Sequence, residues 1–345
     1  MARLAPLRIL FLTDDREDYL ADGLLHGLRH TPGVEVVDAP RKTCLYHGEI
    51  HSRQCPELGV RGGGFTLYGT LSSDGEPERN QIFRKLEQGW FDLVVLGNVW
   101  RQWGQLLDWS AVLGSVPLAL LDGDDDGRLY PGSGTHLRRF GPWRPLAALL
   151  RRPECLYFKR EWGPIGGLAR AQARWFGLAG QQLRPATFSI PADKLLDPAA
   201  LNQPRPQRFP TQVIDPELQA LVGGQTGYAF ATEAAYTADL RRSRFGITTR
   251  RAGWECLRHL ELAAQGCVLC FRDLDRKPAS CAPHGLHGEN CVSYRTGGEL
   301  LRRLESLSQE EERRLRRGSW EWARAHTTRR AAARLLAAFG WSPRG

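Results

Sequence analysis

Five short apolar runs, each closed by turn or charged residues, constrain this chain more than any other feature. They are LRILFLT at 7–13, VEVVDAP at 34–40, FDLVVLGN at 91–98, VPLALLDG at 116–123 and ECLYFKRE at 154–161. Between the first two, DYLADGLLHGLRH (18–30) carries its apolar residues at helical spacing. Strand runs alternating with helical ones imply a parallel, doubly wound α/β sheet. In such sheets the loops leaving the carboxyl ends of the strands line the ligand crevice. Here those loops are 14–18, 98–103 and 122–126.

At 189–210 the composition changes to SIPADKLLDPAALNQPRPQRFP, rich in proline and poor in periodic apolar residues, which reads as a linker. A second α/β pattern follows. YTADLRRSRFGITT leads to a helix at 253–265, a strand at 267–271, a Gly/His/Pro loop at 278–290 and a strand CVSY at 291–294. Leu300, Leu301, Leu304 and Leu307 mark an amphipathic helix, supported by Glu310–Arg314 and Glu312–Arg316 at i,i+4, and TTRRAAARLLAAFGW reads as a last helix. The expected organisation is a domain at 1–188, a linker at 189–210, a domain at 211–328 and a helix at 329–345 returning to the first domain. A length of 345 residues suits two such domains.

The net charge of +9 comes from 47 basic and 38 acidic residues. Only five of the basic residues are lysine, and the charge is spread along the chain, denser only between Arg302 and Arg334, where Glu310, Glu311 and Glu312 alternate with it. That pattern favours an anionic ligand or a membrane surface over specific reading of DNA. Eight cysteines in a chain that opens directly on a core strand argue against a disulfide framework. No apolar run approaches the roughly 20 residues that a membrane-spanning helix needs. The expected setting is cytoplasmic, at most peripheral on the inner face of the membrane.

Arg244 to Phe271, RFGITTRRAGWECLRHLELAAQGCVLCF, speaks most directly to function. It reads as a strand, a loop with glycine and arginine, an amphipathic helix and a buried strand. Orphan N–H groups and the positive dipole end at a helix start, beside Arg250 and Arg251, suit a diphosphate. Glu261, further along the helix, can accept hydrogen bonds from two vicinal ribose hydroxyls. These features together indicate a nucleoside-diphosphate ligand. Arg258 and Glu261 are also spaced i,i+3, so an exposed ion pair on one helix face is the alternative. Gly266 ends the helix.

GWECLRHLELAAQGCVLCF, with ENCVSYRTGGELLRRLESL and WARAHTT, resembles the C-terminal half of GT-B glycosyltransferases of the CgeB-like and group 1 type. DYLADGLLHGL, FDLVVLG and YFKRE are similar to the acceptor-side domain of bacterial surface-polysaccharide members. The resemblance implies two Rossmann-like domains facing across a cleft. It further implies transfer of a sugar from a UDP- or GDP-linked donor to a glycan, lipid-linked or protein acceptor, without a metal or other cofactor. By the same resemblance Glu261 holds the donor ribose, Arg258 with Arg250 or Arg251 faces the diphosphate, and Thr248 and Thr249 line the pocket. His284 and Asn290 lie in the loop that approaches the sugar or phosphate. Many retaining relatives carry a glutamate eight positions before the ribose ligand; here that place is Gly253, so the stereochemical outcome stays open. A nucleotide-sugar epimerase or hydrolase, and a non-catalytic binder, are the alternative readings.

An inverting transferase needs a base near the acceptor hydroxyl. Asp14, Asp15, Asp18, Asp22 and His26 are the candidates, with Asp18 and Asp22 foremost; Asp18 is equally a natural helix N-cap. DGDDDG (122–127) suggests either a hard-cation site, a solvated turn or a loop at the crevice mouth. Cys267, Cys270, Cys281, His284, His287 and Cys291 form a possible zinc set, although residues i and i+3 of a strand point to opposite faces. RGGGF (61–65) is a weak anion-cradle signal. Trp100, Trp103 and Trp109 fit core packing better than an interfacial patch for a lipid-linked acceptor.

Overall fold

In the first strand the apolar residues divide between two layers, as a strand buried on both faces requires. Ile9 and Phe11 join one core cluster, with Leu24 and Leu28 of the first helix; Leu10 and Leu12 join another, with Trp103 and Leu106. A computed structural model describes residues 5–14, 16–47, 66–127, 129, 148–161, 182–227 and 229–341. Asp15 and the RGGGF run lie outside the described residues.

The N-terminal sheet contains β1 (Leu7–Leu12), β2 (Val34–Ala39), β3 (Leu93–Leu96), β4 (Leu118–Asp122), β5 (Cys155–Lys159) and β6 (Leu183–Pro185). All pair in parallel in the order β2-β1-β3-β4-β5-β6, with Ile9 level with both Val36 and Leu93. Helix α1 (Tyr19–Arg29) starts at Asp18, whose carboxylate accepts from Ala21 N. The short helices α2 (Ile82–Glu87), α3 (Trp103–Asp108) and α4 (Ser110–Leu113) cover the opposite face through Leu86, Trp103, Leu106 and Leu113.

The C-terminal sheet has half as many described strands. β7 (Phe245–Thr248), β8 (Val268–Arg272) and β9 (Cys291–Tyr294) pair in parallel in sequence order. Around it lie α5 (Pro216–Val222), α6 (Glu233–Arg242), α7 (Leu257–Ala264), α8 (Gly297–Glu305) and α9 (Gln309–Ala325), and α10 (Thr328–Ala338) follows. A capping box of Ser308 and Glu311 opens α9, which packs on α7 and β8. Gly266 follows α7 with φ of 78°, and a Cβ there would meet Arg205 Nη2 at 2.4 Å. Only glycine fits on both counts.

One expectation changes. The proline-rich stretch at 189–210 is packed rather than strung between units: Leu196 and Leu201 bury with Trp320, and Trp320 Nε1 donates to Leu196 O at 3.0 Å. Arg205 reaches the carbonyls of Leu240, Ser243 and Gln265 at 3.2, 3.0 and 2.8 Å. Few apolar residues suffice where each has a seat and the carbonyls around it find donors. The expected i,i+4 pair of Glu312 and Arg316 forms, and Glu312 is buried between Arg316 and Arg244.

Helix α10 lies on α1. Ile190 N donates to His326 O at 3.1 Å and Thr328 N to Ile190 O at 2.9 Å, which fixes the start of α10 beside α1. His26 Nδ1 stands 2.9 Å from Thr328 Oγ1. A Cβ on Gly27 would lie 2.0 Å from Thr328 O, so the two helices approach through a position without a side chain. Among the described residues no helix is long and apolar enough to cross a membrane.

Candidate functional site at the cleft

The carboxyl ends of β1, β3, β4 and β5 release their loops toward the loop between β7 and α7. Between them is a cavity of about 710 Å³, within the usual range for small-molecule sites. Asp18, Asn98 and Arg101 line one wall, and Arg251, Gly253 and Cys256 the other.

On the N-terminal wall the charged side chains are committed to one another. Asp18 Oδ1 accepts from Ala21 N at 3.0 Å, and Oδ2 from Asn98 Nδ2 and Arg101 Nη2, each at 2.7 Å. Asp22 lies behind it, 1% exposed, accepting from Asp18 N at 3.0 Å and standing 3.2 Å from Lys42 Nζ. Burial pushes the Asp22 carboxyl up to about 7, against the pull of Lys42. Burial works against the Lys42 ammonium too, but Asp22 and the neighbouring carboxylates more than offset it, and its pKa stays above the ordinary lysine value. Asp18 therefore borders the cavity while Asp22 positions it, and His26 is turned to α10 instead.

The acidic loop after β4 divides its labour. Asp122 is fully buried and accepts from Tyr157 OH at 2.6 Å, Trp100 Nε1 at 2.8 Å and Lys159 Nζ at 2.9 Å. Asp125 pairs with Arg160, and Asp124 faces the cavity. Among the described residues no group of three or more His, Cys, Asp or Glu is arranged to hold a metal ion. Cys267, Cys270, Cys281 and Cys291 are buried free thiols, and burial pushes Cys267 and Cys291 up to about 12. Trp103 is a core residue; Trp109 packs edge-on to Phe83 with centroids 6.0 Å apart.

The C-terminal wall is the loop 249–256. Thr248 is buried at its start, with Oγ1 2.6 Å from His259 Nδ1. His259 Nε2 is 3.0 Å from Trp254 O, and a carbonyl only accepts, so Nε2 carries a proton. Cys256 Sγ stands 3.7 Å from the same ring. Burial opposes ionisation of both groups, but their mutual attraction outweighs it, bringing Cys256 down to about 7 and lifting His259.

Arg251 faces the main cavity; Thr249 and Arg250 face a neighbouring one of about 520 Å³ with Trp254, Arg272 and Arg276. The Arg250 guanidinium lies 5.1 Å over the Trp254 ring. Neither Arg250 nor Arg251 has a carboxylate partner among the described residues. A Cβ on Gly253 would fall 2.3 Å from Asp125 Oδ1 and 2.7 Å from Glu161 Oε1, so glycine lets the walls approach.

Glu261 is 9% exposed, at the junction of the two regions. Its Oε1 accepts from Thr66 Oγ1 at 2.5 Å and Oε2 from Tyr236 OH at 2.8 Å, so it is not the exposed member of a helix-surface pair. Arg258 donates to Gln212 Oε1 at 2.6 Å. His284 and Asn290 line neither cavity. The His284 carbonyl accepts from Trp322 Nε1 at 2.7 Å; Asn290 accepts from His287 N and donates to Gly285 O, both at 2.8 Å. These contacts brace the loop on its own backbone and on Trp322.

Sequence reasoning missed Thr66, Tyr236, Arg160, Glu161 and the Cys256–His259 contact. The charged end of ECLYFKRE was the visible signal for Arg160 and Glu161. Thr66 meets Glu261 across 195 positions, and nothing local announces that.

No protein-family model and no curated protein matches the sequence. The fold has clear counterparts. Anabaena HepE in complex with UDP superposes with a TM-score of 0.54 at 9% identity, over 97% of this chain and 99% of that one. A glycosyltransferase from Rickettsia africae gives 0.51 at 8% identity over 97% and 98%, and sucrose-phosphate synthase from Thermosynechococcus elongatus gives 0.50 at 12% over 97% and 98%. The architecture of this chain, two parallel α/β units with a cleft at their carboxyl ends, is the GT-B fold.

Proposed function

We propose that the chain transfers a sugar from a nucleotide-sugar donor, UDP- or GDP-linked, to a glycan, lipid-linked or protein acceptor of the bacterial envelope. The observation that carries this reading is the loop 249–256, which sets Arg251 at the C-terminal wall of a 710 Å³ cleft and Arg250 at the neighbouring cavity, neither with a carboxylate partner among the described residues. Of proteins sharing the fold, HepE has been solved with UDP and with UDP-glucose.

In this reading the C-terminal region binds the donor and the N-terminal region the acceptor. Arg251, with Arg250 and Arg258, neutralises the diphosphate as the sugar–phosphate bond breaks and the electron pair leaves with the nucleotide. Thr248, Thr249 and Gly253 shape the loop around it. Glu261 exchanges Thr66 for the ribose hydroxyls. Asp18 accepts the proton of the acceptor hydroxyl as the new glycosidic bond forms, held in place by Asp22. The electrostatic work falls to guanidinium groups rather than to a metal.

A thermal-shift panel of nucleotides and nucleotide sugars on the wild type and Glu261→Ala tests the reading. A ligand at 100 times its dissociation constant adds about 2.7 kcal/mol of stability. One nucleotide sugar is expected to raise the wild-type midpoint and to lose most of that effect in the variant. Equal shifts in both proteins, or none in either, would remove Glu261 as the ribose ligand. Release of free sugar without acceptor would favour a hydrolase, and binding without turnover a silent binder.

A further inference from the structure

The loop ahead of α7 already holds an anion, and the chain itself supplies it. One oxygen, Glu161 Oε1, receives three donors: Trp254 N at 2.8 Å, Glu255 N at 3.1 Å and Arg160 Nη1 at 2.8 Å. Consecutive backbone N–H groups and a guanidinium converging on one oxygen form the donor set of a phosphate site. Glu161 follows β5 on the N-terminal wall, so the contact crosses the junction. Its side chain is 3% exposed, and the missing Cβ of Gly253, which would stand 2.7 Å away, admits the oxygen.

The donors do not depend on Glu161 for their position. Arg160 Nε donates to Gly123 O at 3.0 Å, Nη1 also reaches Glu255 O at 3.2 Å, and Nη2 pairs with Asp125. The Glu255 carboxylate is anchored elsewhere, on Phe188 N at 3.0 Å and Thr187 Oγ1. Arg160 and Glu255 line the 710 Å³ cavity with Arg251 and Gly253, and Trp254 lines the neighbouring one, so the donors border open space large enough for a ligand.

We propose that Glu161 is a built-in competitor: its carboxylate fills an anion site made by Trp254 N, Glu255 N and Arg160, which a phosphate group of an incoming nucleoside diphosphate takes over. The identity of the ligand rests on the functional reading above; the anion site does not. A protein with this device keeps its anion site filled by its own carboxylate and admits there only ligands whose anionic group outcompetes it.

Calorimetry with inorganic pyrophosphate, UDP and uridine on the wild type and Glu161→Gln decides the matter. Removing the competing charge is expected to tighten pyrophosphate and UDP about tenfold while leaving uridine unchanged. Unchanged or weaker pyrophosphate binding by a folded variant, or no pyrophosphate binding by either protein, overturns the proposal. Tighter pyrophosphate binding with UDP no better than pyrophosphate would uphold the anion site and count against the nucleotide reading. Should Glu161→Gln fail to fold, ¹⁵N spectra of the wild type replace it. Pyrophosphate must then move the amide signals of Trp254 and Glu255, and their standing still overturns the proposal.

Discussion

On the N-terminal wall Lys42 sits on Asp22, Lys159 on Asp122 and Arg101 on Asp14 and Asp18, whereas Arg250 and Arg251 across the cleft meet no carboxylate among the described residues. Buried pairs have fixed geometry and are expensive to break singly, so they hold loops in shape. A guanidinium left in water costs little until a ligand removes that water. The sheets differ too: among the described residues one region has six strands with α10 laid over α1, and the other has three strands. The first wall is thus held by ion pairs, while the second presents two arginines with no carboxylate among the described residues.

Lys159→Met attacks the ion-paired wall most severely. Asp122 would lose its cation in a fully buried setting, and a loss of about 3 kcal/mol or more in urea unfolding is expected. A loss below about 1 kcal/mol would show that the pair does not hold the wall. Gly27→Ala strikes the seam between α1 and α10, where its Cβ meets a backbone oxygen at 2.0 Å. Overpacking of this kind is expected to cost about 2–3 kcal/mol, and an unshifted melting temperature would refute the close approach.

His26 gives the seam a pH dependence. Burial, with His30 and Lys194 nearby, lowers its pKa from 6.5 to about 3. As pH falls through 6.5 the unfolded chain takes up a proton that the folded one refuses, so stability is lost between about pH 6.5 and 3. From pH 7 to 5 the wild type should lose about 2 kcal/mol more than His26→Gln does. Parallel stability curves for the two proteins would contradict a neutral buried ring.

The strands were legible because their apolar runs are long enough to bury on both faces, and CVSY occupies β9 residue for residue. Asp18 was readable as an N-cap because capping is local chemistry. The short β6, the packed stretch at 189–210 and α2 were not, since each depends on a distant host rather than on its own pattern. At the cleft, Arg251 and Gly253 could be named from one segment, as could Arg250 beside the neighbouring cavity. What Glu261 touches could not, because Thr66 and Tyr236 arrive from elsewhere in the chain. His284 and Asn290 looked similar to ligands in sequence, since glycine-rich loops carry the same polar residues whether they face a ligand or brace themselves.

The most direct test is calorimetric titration of UDP into the wild type and Arg251→Ala, with uridine alongside. The uncommitted guanidinium predicts a variant whose stability stays within about 0.5 kcal/mol of the wild type, while UDP binds tenfold or more weakly and uridine is unaffected. Equal UDP affinity in the two proteins would mean that the exposed arginine does not read a diphosphate.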